Sequence, residues 1–141
     1  MKPMKLEGKI AIVTGCNGEF GLGHRARPCS PRAADVACVD FKQADADAAA
    51  EKYGKNRRAL AIAIDLRKRQ EIEAMVKQVV DAFGRIDILG QLHHGVAQPE
   101  FLNFKEEDFD DSLSRGVKSY FHPARLSRVR WSNSATVKSS T

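Results

Sequence analysis

The sequence predicts an α/β fold: an incomplete doubly wound parallel sheet of four strands in the order 3-2-1-4, with helices laid across it. Three observations predict it. Strand-like and helix-like segments alternate along the chain. The strand-like segments are continuous apolar runs, as strands covered on both faces require. The segments between them are long enough for right-handed crossovers, which set parallel strands side by side.

Residues 9–13 (KIAIV) form a short β-branched run ending at Thr14-Gly15, the first strand. Residues 36–40 (VACVD) repeat that character and give the second. Residues 43–53 (QADADAAAEKY) are helix-favouring material, with Gly54 placed as a left-handed terminator. Residues 59–66 (ALAIAIDL) give the third strand. Over residues 69–83, Ile72, Met75, Val76, Val79, Val80 and Phe83 recur at helical spacing, and Gly84 closes the helix. Residues 86–89 (IDIL) give the fourth strand, and residues 105–113 open a helix running to about 122. One helix is missing from the pattern. Residues 24–34 (HRARPCSPRAA) have no apolar periodicity, and Pro28 and Pro31 would each cost about 3 kcal/mol inside a helix. The ordered unit is thus expected over residues 5–122, followed by a basic, disordered tail over 123–141.

Composition excludes several function classes. The 141 residues are 43% apolar and 29% charged, which suits one soluble domain. No apolar run approaches the roughly 18 residues of a membrane span, and the N-terminus lacks a signal-peptide apolar core, so a cytoplasmic protein with no membrane partner is expected. Cys16, Cys29 and Cys38 are odd in number and form no CxxC, which argues against a disulfide framework or a zinc site; Cys38 reads as a buried thiol. His93 and His94 are adjacent, would point to opposite faces and have no evident third ligand, so no metal is expected. The net charge of +5 is a property of the C-terminal end. Residues 115–141 hold six basic residues and no acid, leaving 17 basic residues against 18 acids before them. Tyr120 and Trp131 could stack on bases, but no nucleic-acid module surrounds them, and no nucleic-acid partner is expected.

The chemistry gathers after the first strand, where residues 14–36 read TGCNGEFGLGHRARPCSPRAADV. In a doubly wound sheet this turn holds a dinucleotide pyrophosphate: glycines let the backbone approach, and a helix N-terminus supplies N–H donors. An acid ending the second strand accepts hydrogen bonds from the adenosine ribose, and Asp40 stands there, 25 residues after Gly15.

LEGKIAIVTG (6–15), FGLG (20–23), ADVACVDF (34–41), ALAIAIDL (59–66) and EAMVKQVVDAFGRIDIL (73–89) together resemble the short-chain dehydrogenase/reductase family; FDDSLSRGVKSYFH (109–122) is a weaker match. The resemblance implies a partial Rossmann-type domain and NAD(P)-dependent oxidation of an alcohol or reduction of a carbonyl. It implies a dinucleotide-binding set of Thr14, Gly15, Asn17, Phe20 and Gly21 in the turn, with Asp40 selecting NAD over NADP. Asp65 and Leu66 would lie beside the adenine, and Gly95 would match the glycine of the family's NNAG segment.

The departures from the family are specific. Glu19 replaces the middle glycine of the turn. A carboxylate about 5 Å from a phosphate charge costs about 3 kcal/mol at an effective dielectric of about 20, roughly a hundredfold in affinity. Residues 91–95 read QLHHG, so both family asparagines are lost, and the family's later active-site Asn aligns with Gly116. No YxxxK occurs anywhere: Tyr53 and Tyr120 are followed at i+4 by Arg57 and Ala124. The proton-transferring pair that the resemblance would require is absent, so no catalytic residue is assigned and the chain is expected to be inactive in hydride transfer. The departures fall in blocks between well-matched blocks, the pattern expected of compensated frame shifts and truncation in a dehydrogenase gene. Two alternatives stand beside this reading: a non-catalytic nucleotide-binding remnant or interaction module, and a poorly folded fragment with an open edge at the fourth strand.

Overall fold

The computed structural model describes residue 6 and residues 8–16, 35–92 and 101–131. Four strands form one parallel sheet: β1 (Ile10–Thr14), β2 (Asp35–Asp40), β3 (Ala59–Ala63) and β4 (Ile88–Gln91). Their order is β3-β2-β1-β4, the expected 3-2-1-4. Helix α1 (Gln43–Tyr53) joins β2 to β3, and α2 (Arg69–Phe83) joins β3 to β4. After β4 come α3 (Glu106–Leu113), a π-helical turn (Ser114–Lys118) and α4 (Ser119–Trp131).

The continuous apolar strands are explained by burial on both faces. On one face Ile10, Ile12, Ala37, Val39 and Ile62 pack with Ile72, Met75, Val76 and Val79 of α2, and Leu126 of α4 joins them. On the other, Ala11, Val13, Val36 and Cys38 pack with Cys16 and with Ala49 of α1. The four α2 side chains are those the helical spacing selected, and their burial contributes roughly 6–12 kcal/mol as an upper figure. Gly84 ends α2 at φ 84°, the left-handed conformation that only glycine adopts without strain, and its N–H donates to the Val80 carbonyl at 2.7 Å.

The N-terminal end of the sheet is tied by Asp87. Its Oδ2 accepts the Ile10 N–H at 2.9 Å, its Oδ1 bonds Arg85 and lies 3.8 Å from Lys9 Nζ, and its own N–H donates to the Ile10 carbonyl at 2.9 Å. Burial pushes this carboxyl up, but Arg85, the Ile10 N–H and Lys9 outweigh it and hold its pKa below the ordinary carboxylate value.

Beyond one-residue shifts at β1 and β2, four boundaries differ from expectation. The third strand stops at Ala63, because its partner β2 ends at the matching residue, Asp40. The fourth runs two residues later than expected, because Val13 and Thr14 pair with Gly90 and Gln91 and extend the ladder over residues with little strand preference of their own. Gly54 is right-handed (φ −80°), not left-handed, and the chain continues into a 3₁₀ turn, Gly54–Asn56. Space explains the glycine: a Cβ there would stand 3.1 Å from the Ala59 Cβ. The last difference is the largest. Helix continues past residue 122 to Trp131, through what was expected to be a disordered tail from 123. Pro123 lies inside α4, buried, and its own burial with that of Ser127 and the packing of Leu126 on the core offset part of the proline's cost of about 3 kcal/mol. The segments 24–34 and 132–141 lie outside the described residues, with Glu19, His93 and His94.

Candidate functional site

Because every strand is parallel, all four C-terminal ends open on one edge, carrying Thr14, Asp40, the Ala63–Asp65 exit and Gln91. β2 and β3 step away from β1 on one side, and β4 joins its other side. The β1/β4 boundary is therefore the switch point where open α/β sheets bind ligands.

The edge is pinned by backbone bonds that carry each strand one step past its ladder. Gly15 N–H donates to the Val39 carbonyl (2.9 Å), Ile64 N–H to the Asp40 carbonyl (3.0 Å) and Leu92 N–H to the Thr14 carbonyl (3.0 Å). Gly15 then turns the chain at φ 68°, a left-handed conformation that costs an L-residue about 1–2 kcal/mol. Thr14 is buried, and its Oγ1 has no hydrogen-bond partner among the described residues.

Asp40 ends β2 half-buried, with Oδ1 accepting the Phe41 N–H at 2.8 Å, which fixes the carboxylate at the strand's exit. The Phe41 ring beside it is 65% exposed. Asp65 is held differently. Arg67 grips its carboxylate from Nε at 2.9 and 3.1 Å and from Nη2 at 2.7 Å, and Arg67's own N–H adds a bond at 3.0 Å. This side-chain grip outweighs the effect of burial and lowers the Asp65 pKa to about 2. Glu71 Oε2 accepts the Asp65 N–H at 2.7 Å, tying the β3 exit to α2, and Arg67 also stands 3.7 Å from Asp111 of α3. Leu66 is buried in the core, so its side chain supports the edge from beneath.

The structure thus gathers Thr14, Gly15, Asp40 and Asp65 along one edge, with Leu66 below it. Asn17, Phe20, Gly21 and Gly95 lie outside the described residues. Two features escaped the reading of the sequence. Gln91 Nε2 donates to the Tyr120 carbonyl at 2.9 Å and fastens the end of β4 to α4; nothing but its place among the lost asparagines marked it. Arg67, two residues after Asp65, carries no signal in the sequence that sets it apart from its basic neighbours Lys68 and Arg69. At Gly116, in the π-helical turn, a Cβ would meet nothing within 4 Å. Among the described residues no three His, Cys, Asp or Glu side chains are grouped to hold a metal, and no helix is long and apolar enough to cross a membrane.

A four-stranded parallel sheet in this order, with a glycine turn and an acid at the C-terminal ends of β1 and β2, defines a Rossmann-type α/β domain. Comparison with known proteins carries this further. The short chain dehydrogenase family profile matches residues 9–132, and the chain belongs to that family. It is 31% identical over 121 residues to 2-dehydro-3-deoxy-D-gluconate 5-dehydrogenase of Escherichia coli (strain K12), covering 86% of this chain and 47% of that protein. It is 34% identical over 131 residues to short-chain dehydrogenase reductase 3a of Arabidopsis thaliana, covering 89% and 50%. Among solved structures, a hydroxysteroid dehydrogenase from Escherichia coli superposes with a TM-score of 0.80 at 25% identity, over 92% of this chain and 52% of that one. A short chain dehydrogenase from Mycobacterium smegmatis, 22% identical, shares the fold with a TM-score of 0.79 over 91% and 53%. The chain spans about half the length of the curated relatives it matches.

Proposed function

We propose that this chain is the dinucleotide-binding half of an NAD-linked oxidoreductase of alcohols or carbonyls, and that by itself it binds the dinucleotide without transferring hydride. The observation that carries the binding reading is the pairing of Gly15, left-handed at the β1 exit, with Asp40, fixed at the adjacent β2 exit. The residues described suit a dinucleotide. Gly15 removes the side chain where a pyrophosphate must approach, and Asp40 offers a carboxylate to ribose hydroxyls. The same carboxylate would repel the 2′-phosphate of NADP, which favours NAD. Bound NAD supplies a nicotinamide that accepts or gives a hydride. The described residues hold the ribose and shape the edge of the sheet, while Glu19 weakens binding by its charge. The names of the relatives favour this class: one is a 3-oxoacyl-[acyl-carrier-protein] reductase from Vibrio cholerae, and a structural neighbour is an NAD+-bound xylitol dehydrogenase. The proposed inactivity rests on the absence of any Tyr-x-x-x-Lys in the sequence.

Calorimetric titration with NAD and NADP tests the binding half. Saturable binding of NAD, tighter than that of NADP, with the preference narrowed in Asp40→Asn, is expected; no saturable binding of either overturns it. Turnover assays with alcohols and NAD test the other half, and catalysis by the purified 141-residue chain would overturn it.

A further inference from the structure

Cys16 and Cys38 are fully buried, neither is in a disulfide, and both belong to the same packed cluster on the α1 side of the sheet. They come from different elements. Cys38 sits in β2, in register with Val13, while Cys16 follows the left-handed Gly15 just past the end of β1. That turn bends Cys16 back toward β2, where its Sγ lies 3.6 Å from the carbonyl oxygen of Val39, the residue after Cys38. The Cys16 thiol therefore lies over the Cys38–Val39 step of β2, on the face where Cys38 also packs. The buried residues around them are Ala11, Val13, Val36 and Ala49.

We propose that Cys16 and Cys38 are a dithiol modification site, oxidised to an intramolecular disulfide by small dialkyl disulfides of the glutathione disulfide class. The juxtaposition is of the kind such a bond needs, two thiols from separate elements brought into one packed cluster by the fold. The neighbouring Cys38 sulfur, then burial, push the Cys16 thiol above the usual thiol range, while the hydrogen bond from Cys16 lowers Cys38. Local opening exposes either thiol, and Cys38, as thiolate, serves here as the first nucleophile. Its thiolate attacks one sulfur of the oxidant and expels one glutathione thiolate. The Cys16 sulfur, losing its proton to solvent, then attacks the Cys38 sulfur of the mixed disulfide and expels the second. Two protein thiols and one glutathione disulfide become one protein disulfide and two glutathione thiols; the protein loses two electrons and the oxidant gains them. Both sulfurs are covered, so the reaction waits on local opening, and the position of equilibrium is the informative quantity. The bond would fasten the Gly15 turn to β2. The dithiol reading itself depends only on the two cysteines and stands independently of the proposed function.

The test uses the full chain carrying Cys29→Ser, which leaves only the two thiols in question. It is equilibrated in mixtures of reduced and oxidised glutathione, in native buffer and separately in urea, then trapped with acid and mapped by mass spectrometry. The expected product is a monomer lighter by two hydrogens in which the Cys16 and Cys38 peptides are linked. The effective concentration of the pair should be at least about tenfold higher in native buffer than in urea, because the fold rather than the chain brings the thiols together. A native value no higher than the urea value overturns the proposal. So does a product that is a disulfide-linked dimer, or a chain carrying glutathione stably on one cysteine.

Discussion

Replacing Asp87 by alanine should destabilise the domain by about 2–4 kcal/mol, as the bonds it makes dictate. The carboxylate accepts the N–H of Ile10, the first residue of β1, and Ile10 is only 4% exposed. With no acceptor that buried N–H costs about 1–3 kcal/mol. The ion pairs to Arg85 and Lys9 involve partly exposed cations and add about 0–1 kcal/mol each. A loss near 3 kcal/mol lowers the melting temperature by about 10 °C for a domain of this size. The dependence on pH has a definite sign. The folded pKa of Asp87 lies below its ordinary value of 3.8, so its stabilisation is complete above that value and is lost as pH falls through the folded pKa. The deficit of the alanine variant should be full at neutral pH and shrink in acid. Asp87→Asn keeps an acceptor for Ile10 and should lose only about half as much. Urea unfolding at a series of pH values measures all three chains. A neutral-pH loss below about 0.5 kcal/mol, the size of an ordinary surface change, would refute the reasoning. A deficit unchanged in acid would refute it too.

Other outcomes follow from single features. Gly84→Ala should cost about 1–2 kcal/mol in chemical unfolding, through backbone strain alone, since φ is 84° and a Cβ would meet nothing within 4 Å. Met75→Ala, at a fully buried site between α2 and the sheet, should cost about 2–5 kcal/mol in the same assay. Glu19→Gly should tighten NAD binding by up to about a hundredfold in a calorimetric titration, by removing a charge from the glycine-rich segment proposed to receive the pyrophosphate.

What the sequence made legible was what local chemistry decides. The spacing of Ile72, Met75, Val76 and Val79 set α2 at Arg69–Phe83, and the glycine after it ended the helix as expected. The alanine-rich run set α1 at Gln43–Tyr53. Apolar runs without alternation implied a sheet covered on both sides, and chain order with right-handed crossovers implied the strand order. What was not legible is decided by distant partners. β4 reaches Gln91 because Val13 and Thr14 offer it a ladder, and β3 stops where β2 stops. The basic stretch after residue 122 reads locally as a disordered tail, yet α4 runs on to Trp131, with Leu126 packed on the core. At the candidate site, the positions of Gly15 and Asp40 at the exits of β1 and β2 were legible because strand ends follow from the apolar runs. Arg67 was not, because its grip on Asp65 is a side-chain geometry that spacing alone does not reveal.

The central claim is that the C-terminal edge of this sheet receives a dinucleotide. It is tested most directly by titrating the isotope-labelled chain with NAD and following backbone amide resonances. The account predicts saturable shifts concentrated at Gly15, Cys16, Asp40, Phe41 and Asp65, with Ile10, Asp87 and the N-terminal edge unmoved. Shifts centred on the N-terminal edge or on α3 and α4, or no saturable shifts at all, would contradict it.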